Sequence, residues 1–282
     1  MPELPEIETI RHDLEASVRG AQVLRVKAND PLVISPATAR RLRRALPGQT
    51  LVSLDRCGKV LVLNLSGGVS VLQRFGMTGQ MYPLSAEAPL PPHTRMVWEL
   101  ADGRRLVYRD ARRFGETRLV RTDDLPRALS EDCRLGEDAL TGDLTPARLA
   151  QMLADHRVPL KNFLLDQTHL AGIGNIYASE ILHRCRLHPV TPANSLSARQ
   201  VRELARVLRR VLTEAVAAQG TTISDYRTGE NQAGGYQAFL RVYGREGDRC
   251  RRRGCPGVVV RTVQTQRSSF HCPVCQPKPP EE

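Results

Sequence analysis

Val60-Leu-Val-Leu-Asn-Leu-Ser-Gly-Gly-Val-Ser-Val-Leu72 reads as two β-rich runs, Val60–Leu65 and Val69–Leu72, joined by the turn Ser66-Gly67-Gly68. Working outward, the same pattern recurs at Val23–Val26, Met96–Leu100, Leu106–Tyr108 and Thr117–Val120, with Ala101-Asp102-Gly103 as another turn. Runs this short, spaced by turns rather than helices, predict an antiparallel β-sandwich. Towards the N-terminus, Leu4, Ile7, Ile10, Leu14 and Val18 recur at three- and four-residue steps, and Gly20 follows as a stop signal. That spacing predicts an amphipathic helix beginning almost at the first residue and packed beside the sandwich. A second, short helix is expected over 37–46, with Arg40, Arg41, Arg43 and Arg44 forming a solvated face.

After Pro126 the patterning turns helical, at 145–155, 160–166, 174–185 and 197–218. Leu170-Ala-Gly-Ile-Gly-Asn175 joins two of these helices. Its glycines permit tight turns, read either as a plain helical connection or as a clamp whose free amides face a phosphate. A glycine-bearing loop runs from Gly220 to Tyr236, and a cysteine-rich tail closes the chain. The expected class is therefore α+β: an N-terminal β-sandwich with flanking helices over 1–130, a helical domain over 131–240, and a small metal-binding finger over 241–282.

With 41 Lys and Arg against 30 Asp and Glu, the 282-residue chain carries a formal charge of +11, a field that attracts polyanions; nucleic acid is the first partner to consider. The start, MPELPEIETIRHDL, is acidic, without a basic region followed by an apolar one, and no stretch approaches the ~20 apolar residues of a membrane span. A cytoplasmic, nucleoid-associated monomer is expected. Of seven cysteines, Cys57, Cys133 and Cys185 are scattered and expected as small hydrophobes. The remaining four run Cys250-x4-Cys255, sixteen residues, then Cys272-x2-Cys275, the paired-knuckle pattern of a structural zinc site. Between the knuckles, Val258–Val263 and Ser268–Phe270 fit a β-hairpin too small to fold without its metal.

Pro2 is followed by Glu3, Pro5 and Glu6. One reading is ordinary helix-start chemistry, prolines in the first turn with acids favoured by the dipole. The other begins with excision of Met1, which leaves a free secondary amine. An α-amine titrates near ~8, so a useful fraction is unprotonated at neutral pH. Its attack on a sugar C1′ gives an iminium that is cationic without a proton, and hence an electron sink.

Met1-Pro-Glu-Leu-Pro-Glu6, Gly76-Met-Thr-Gly79, Arg112-Arg-Phe-Gly115, Gly174-Asn-Ile-Tyr-Ala-Ser-Glu180, Gly220-Thr-Thr222, Val242-Tyr-Gly-Arg245 and the four-cysteine tail, in this order, closely resemble the formamidopyrimidine-DNA glycosylase family. The resemblance covers nearly the whole chain and favours the second reading of Pro2. It implies a bifunctional glycosylase and abasic-site lyase excising oxidised purines from duplex DNA, with a helix-two-turn-helix domain and one structural zinc ion. Pro2 is then the nucleophile that forms a Schiff base, Glu3 the acid/base and Glu6 a supporting carboxylate. Met77, Arg112 and Phe114 fill the space of the flipped nucleotide. Lys59, Asn175 and Arg267 grip phosphates, and His93 and Arg74 are further DNA contacts, Arg74 standing where many relatives carry histidine. Thr221, Thr222 and Tyr226 belong to the loop over the lesion, and Cys250, Cys255, Cys272 and Cys275 hold the metal. The first knuckle departs from the pattern: it is x4 instead of x2, with Arg253 at the usual ligand position and Cys255 two residues later. Two alternatives stay open, an endonuclease VIII-like activity on oxidised pyrimidines and a damage-binding module without turnover.

Overall fold

The computed structural model describes residues 2–280 apart from 29, 223–226, 229 and 231. These residues divide into two compact units, 1–134 with 216–237, and 135–215 with 238–282. The stretch 216–237, inside the helical half by sequence patterning, thus packs with the first unit, and the division cuts the last turn of a long helix.

The first unit is built on α1 (Leu4–Val18), β1 (Val23–Ala28), α2 (Pro36–Ala45), β2 (Leu51–Cys57), β3 (Val60–Leu65), β4 (Val69–Arg74), β5 (Gln80–Ser85), β6 (Thr94–Leu100), β7 (Arg104–Arg109) and β8 (Glu116–Arg121), followed by the single turn α3 (Leu125–Arg127). The strands form two antiparallel sheets, ordered β1-β6-β7-β5 and β2-β3-β4-β8. Leu63, Val71, Trp98, Leu106 and Tyr108 from both sheets share one core with α1. Ile7, Ile10, Leu14 and Val18 are all 0% exposed, so the stripe read from spacing is the buried face, each side chain contributing about 1.5–3 kcal/mol on leaving water. Polar bonds then fix where α1 lies along β2: Arg56 Nε donates to Glu8 Oε2 at 2.8 Å, and the Leu54 amide to Glu15 Oε2 at 2.9 Å. Burial alone would raise the Glu8 carboxyl, but its bonds from Arg11 and Arg56 outweigh that and hold it below its ordinary range. The four arginines of α2 are exposed, as their pattern predicts.

In the second unit, β9 (Glu137–Asp138) pairs in parallel with β10 (Leu170–Ala171), and the helices are α4 (Pro146–Ala154), α5 (Leu160–Leu165), α6 (Asn175–Cys185) and α7 (Ala198–Ala217). The tail forms the hairpin β11 (Val260–Gln264) and β12 (Arg267–His271), closed by Thr265 and Gln266 at φ 48° and 61°, the double left-handed turn that matches strand twist. No helix of the described residues is long and apolar enough to cross a membrane. Of the three scattered cysteines, Cys133 is buried and Cys57 and Cys185 are half-buried.

Candidate active site

The N-terminal part is assembled around one carboxylate. Pro2 is buried and Glu3 only 3% exposed, just ahead of α1, whose first turn carries Glu6 at 1% exposure. Glu6 Oε2 accepts from the Glu3 amide at 2.7 Å, and Glu6 Oε1 accepts from the Thr221 amide, also at 2.7 Å. Gly220, at φ +75°, lies so close that a Cβ there would stand 2.9 Å from the Glu6 side chain; both the conformation and the space demand glycine. Thr222 closes the same loop at its base, its amide donating to Gln237 Oε1 at 3.2 Å and its Oγ1 accepting from Gly234 at 2.9 Å. The amides of Thr221 and Thr222 are thus occupied by protein acceptors. Tyr226 lies outside the described residues, as does Met1.

A second cluster brings Met77, Arg112, Phe114 and His93 together. Met77 is 39% and Phe114 57% exposed, large apolar side chains left in solvent on turns between strands. The Arg112 guanidinium sits over the Phe114 ring, 4.8 Å from its centroid. Beneath them is Asp110, 0% exposed, which the motif reading passed over. Its Oδ1 accepts from Thr78 Oγ1 at 2.5 Å and from the Arg112 amide at 3.3 Å; its Oδ2 accepts from the Gly115 amide at 2.8 Å and from the Tyr108 hydroxyl at 3.4 Å. Burial, with this carboxylate beside it, pushes the Tyr108 phenol far above its ordinary value, so it stays a donor. The Asp110 amide donates to the carbonyl of His93, itself exposed at φ 65°. Lys59 is half-buried after the β2 strand, next to Gly58. Arg74 ends β4, and its Nη2 donates to the Cys133 carbonyl at 2.7 Å, so this guanidinium is tied to its own unit.

In the second unit, Asn175 opens α6 and its Nδ2 donates to the Ser268 carbonyl at 3.0 Å, beside exposed Arg267. The same carbonyl accepts from Lys161 Nζ at 2.7 Å; this lysine, 1% exposed, also reaches Ser269 Oγ. Glu180, 0% exposed, accepts from the amides of Arg241, Val242 and Tyr243 at 2.9–3.0 Å, clamping the segment that enters the finger. Lys161 was not singled out by sequence, since a buried charge in a helix has no local signature, and Glu180 entered only as the last residue of the 174–180 motif, without a role.

The four C-terminal thiols lie within 4.8 Å of one another. Cys250 Sγ is 3.8 Å from Cys275 Sγ, and Cys255 Sγ 3.7 Å from Cys272 Sγ, the edges of a tetrahedron with metal–sulfur bonds of about 2.3 Å. Cys255 therefore completes the set despite the longer knuckle, while Arg253 points into solvent. Two knuckle residues are used as fasteners: Arg252 Nη2 donates to the carbonyls of His183 and Arg184 near the end of α6, and Arg251 Nη1 to those of Ala238 and Leu240. His183 Nε2 lies 3.3 Å from Cys250 Sγ. Burial, then neighbouring Arg252, Arg241 and Arg184, push this imidazole down to about 4, so it is neutral.

Comparison with known proteins starts from this geometry. The Formamidopyrimidine-DNA glycosylase N-terminal domain model matches residues 1–117, and the Formamidopyrimidine-DNA glycosylase H2TH domain model residues 135–227. A formamidopyrimidine-DNA glycosylase of Methylobacterium sp. (strain 4-46) is 42% identical, over 99% of this chain and 100% of that protein. The chain belongs to the formamidopyrimidine-DNA glycosylase family. A second member, from Cereibacter sphaeroides (strain ATCC 17025 / ATH 2.4.3), is 41% identical over 98% of this chain and all of its own. Among solved structures, a Lactococcus lactis Fpg variant complexed with Fapy-dG-containing DNA aligns at a TM-score of 0.90 with 30% identity, over 98% of this chain and 100% of that one. The complex of Lactococcus lactis Fpg with abasic-site DNA aligns equally well, with 29% identity and the same coverage. As a formamidopyrimidine-DNA glycosylase family member, the chain is an enzyme of the glycosylase class.

Proposed function

We propose that this enzyme excises oxidised purines, 8-oxoguanine and formamidopyrimidines, from duplex DNA and then cleaves the strand, working through the Pro2 amine once Met1 is removed. The observation that carries this is Pro2 beside two buried carboxylates, with Glu6 tied to both the Glu3 amide and the loop at Thr221. In the reaction, the Pro2 nitrogen attacks C1′ of the flipped nucleotide, the bond from C1′ to the base breaks with its electron pair on the base, and the proton that Pro2 sheds neutralises the departing base. Glu3 delivers a proton to the sugar ring oxygen as the C1′–O4′ bond opens, leaving an iminium on Pro2. That cation accepts the electron pair released when a C2′ proton departs, and the resulting enamine returns the pair to expel the 3′ phosphate, which leaves with the C3′–O electrons; loss of the 5′ phosphate follows by the same logic. Glu6 spends both oxygens on amides and so holds the acid and the loop in place.

Met77, Arg112 and Phe114 are assigned to the vacated stack: thioether and ring fill space, and Arg112 donates to the orphaned base. Lys59, His93, Asn175 and Arg267 are assigned to phosphates, with Arg74 the weakest of the group because its guanidinium already bonds the Cys133 carbonyl. Zinc is the metal that suits four thiolates at tetrahedral spacing; with no coordination position left open, its part is to hold the finger. Such a substrate puts the enzyme on the nucleoid. A wider lesion range has one specific support, since wild-type Lactococcus lactis Fpg, 29% identical, was solved with DNA containing an oxidised pyrimidine.

Borohydride trapping tests the reading. On duplexes carrying 8-oxoguanine, an oxidised pyrimidine or an abasic site, the native protein is expected to form a covalent adduct with the first and third, and more slowly with the second. No adduct with any of them refutes the enzymatic mechanism and leaves the damage-binding module. For Arg267→Ala, the logarithm of the binding constant should fall less steeply with the logarithm of salt, by about 0.9 for the one phosphate lost. An unchanged slope removes Arg267 from the phosphate contacts.

A further inference from the structure

Asp110 joins three chain segments that are far apart in sequence. Its carboxylate bonds Thr78 of the 75–79 turn and the Arg112 and Gly115 amides of the 110–115 turn, and its own amide bonds the carbonyl of His93. Its carbonyl accepts from Arg95 Nε at 2.8 Å. Arg95 in turn reaches Asp30 Oδ2 at 2.9 Å, and that same oxygen takes Arg113 Nε at 2.8 Å. Arg113, at φ 58°, is thereby drawn away from its neighbours Arg112 and Phe114. The two turns also touch directly: a Cβ on Gly76, at φ +59°, would lie 2.5 Å from the Phe114 carbonyl carbon.

Unstacking a base pair costs free energy. A pair of floppy turns would add to it the backbone entropy lost by each residue ordered on insertion. Exposed Met77 and Phe114 lie on turns tied to one buried carboxylate, the first by the Thr78 hydroxyl and the second by the Arg112 and Gly115 amides, so that ordering is done during folding.

We propose that Asp110 is the positioning residue of the base-replacing side chains: it sets Met77, Arg112 and Phe114 in their inserting geometry before DNA arrives, and touches neither DNA nor the reacting atoms. This rests on the glycosylase reading above. Its signature is selectivity between substrates. Where no stacked partner has to be replaced, as at an abasic site in single-stranded DNA, the Pro2 chemistry proceeds without the turns.

Asp110→Asn keeps the shape and loses the charge and one acceptor, since an amide nitrogen cannot accept from Gly115. Borohydride trapping on an 8-oxoguanine duplex paired with dC should slow by about tenfold to a hundredfold, the value of a charged buried hydrogen bond. Trapping on the single-stranded abasic site should stay within about twofold of native. 2-Aminopurine beside the lesion should show a smaller fluorescence rise in the duplex, reporting incomplete extrusion. Thr78→Val, which removes only the hydroxyl between Asp110 and Arg112, should give the same selectivity at smaller amplitude and serves if the Asn variant does not fold. Equal slowing on both DNAs, or none on the duplex, overturns the assignment. Absence of trapping by the native protein on either DNA overturns the glycosylase reading, and this inference with it.

Discussion

Pro2→Gly carrying one additional residue ahead of it should form no borohydride adduct with abasic or 8-oxoguanine duplex, a loss of at least about a thousandfold in single-turnover cleavage. The reason lies in what the nitrogen is. With a residue attached ahead of it the nitrogen is an amide, whose lone pair is delocalised into the carbonyl and cannot attack C1′. Binding should survive, because the residues proposed to replace the base and to grip phosphates are untouched; the lesion-duplex dissociation constant is expected within about threefold of native. Pro2→Gly with a free terminus gives an intermediate result, since a primary amine still forms an imine but that imine must be protonated to become an electron sink. Adduct formation by the blocked variant would move the nucleophile elsewhere in the chain.

Cys255→Ser should release the zinc, with metal content falling from one per chain to a small fraction of that, and lesion-duplex affinity falling about tenfold to a hundredfold as the finger's charged contacts are lost. The hairpin explains the size of the effect. Along β11, Val260 and Gln264 are only half-buried and Arg261, Thr262 and Val263 are exposed, so the strand has no apolar face to bury. A two-stranded ribbon of that kind is marginal alone in water. This one is pinned by Lys161 and Asn175 on Ser268 and Ser269, by the Arg251 and Arg252 bonds and the Glu180 clamp beside it, and, on the proposed zinc reading, by the four thiolates. Metal analysis after dialysis is the check, and retention of a full equivalent of zinc would remove Cys255 from the ligands.

How far the sequence was legible follows from burial. Helix α1 was read with its bounds, because all five of its periodic apolar residues are at 0% exposure and no other reading of that spacing competes. Strands β3 and β4 were equally plain, lying inside their sheet with nearly continuous apolar runs. In the first unit β2 and β5 were missed; both are sheet edges, as are β1 and β8, which were read, and in the second unit the two-residue strands β9 and β10 were missed because they are too short to show alternation. Ser53, Asp55 and Arg56 interrupt the apolar pattern of β2, and β5 carries Pro83, which an edge tolerates and a central strand does not. The tail hairpin was found, with its strands shifted by up to two residues, since its alternation is set by a turn and a metal instead of a core.

The site divides in the same way. Residues whose chemistry is local to a motif, such as Pro2, Glu3 and the four cysteines, announce themselves. Asp110 does not, because its work is to collect donors from residues 78, 112 and 115 and from Tyr108, which meet only in three dimensions. In sequence it is only a single acid between Arg109 and the Arg112-Arg113 pair, which reads as an ordinary ion-pair partner. The loop at Thr221 and Thr222 was located by resemblance, but that its amides are held by Glu6 and Gln237 is a fact of packing alone.

The bond between Glu6 and Thr221 spans 215 residues. During synthesis at about 5–20 residues per second, the beginning of the chain is therefore outside the ribosome for roughly 10–40 s before its partner exists. The segment made first is the one completed last. A nascent or truncated chain that stops short of residue 221 leaves a buried-to-be carboxylate facing water, with the start of α1 still unset. Only a polypeptide that has been translated almost to its finger can assemble its own beginning.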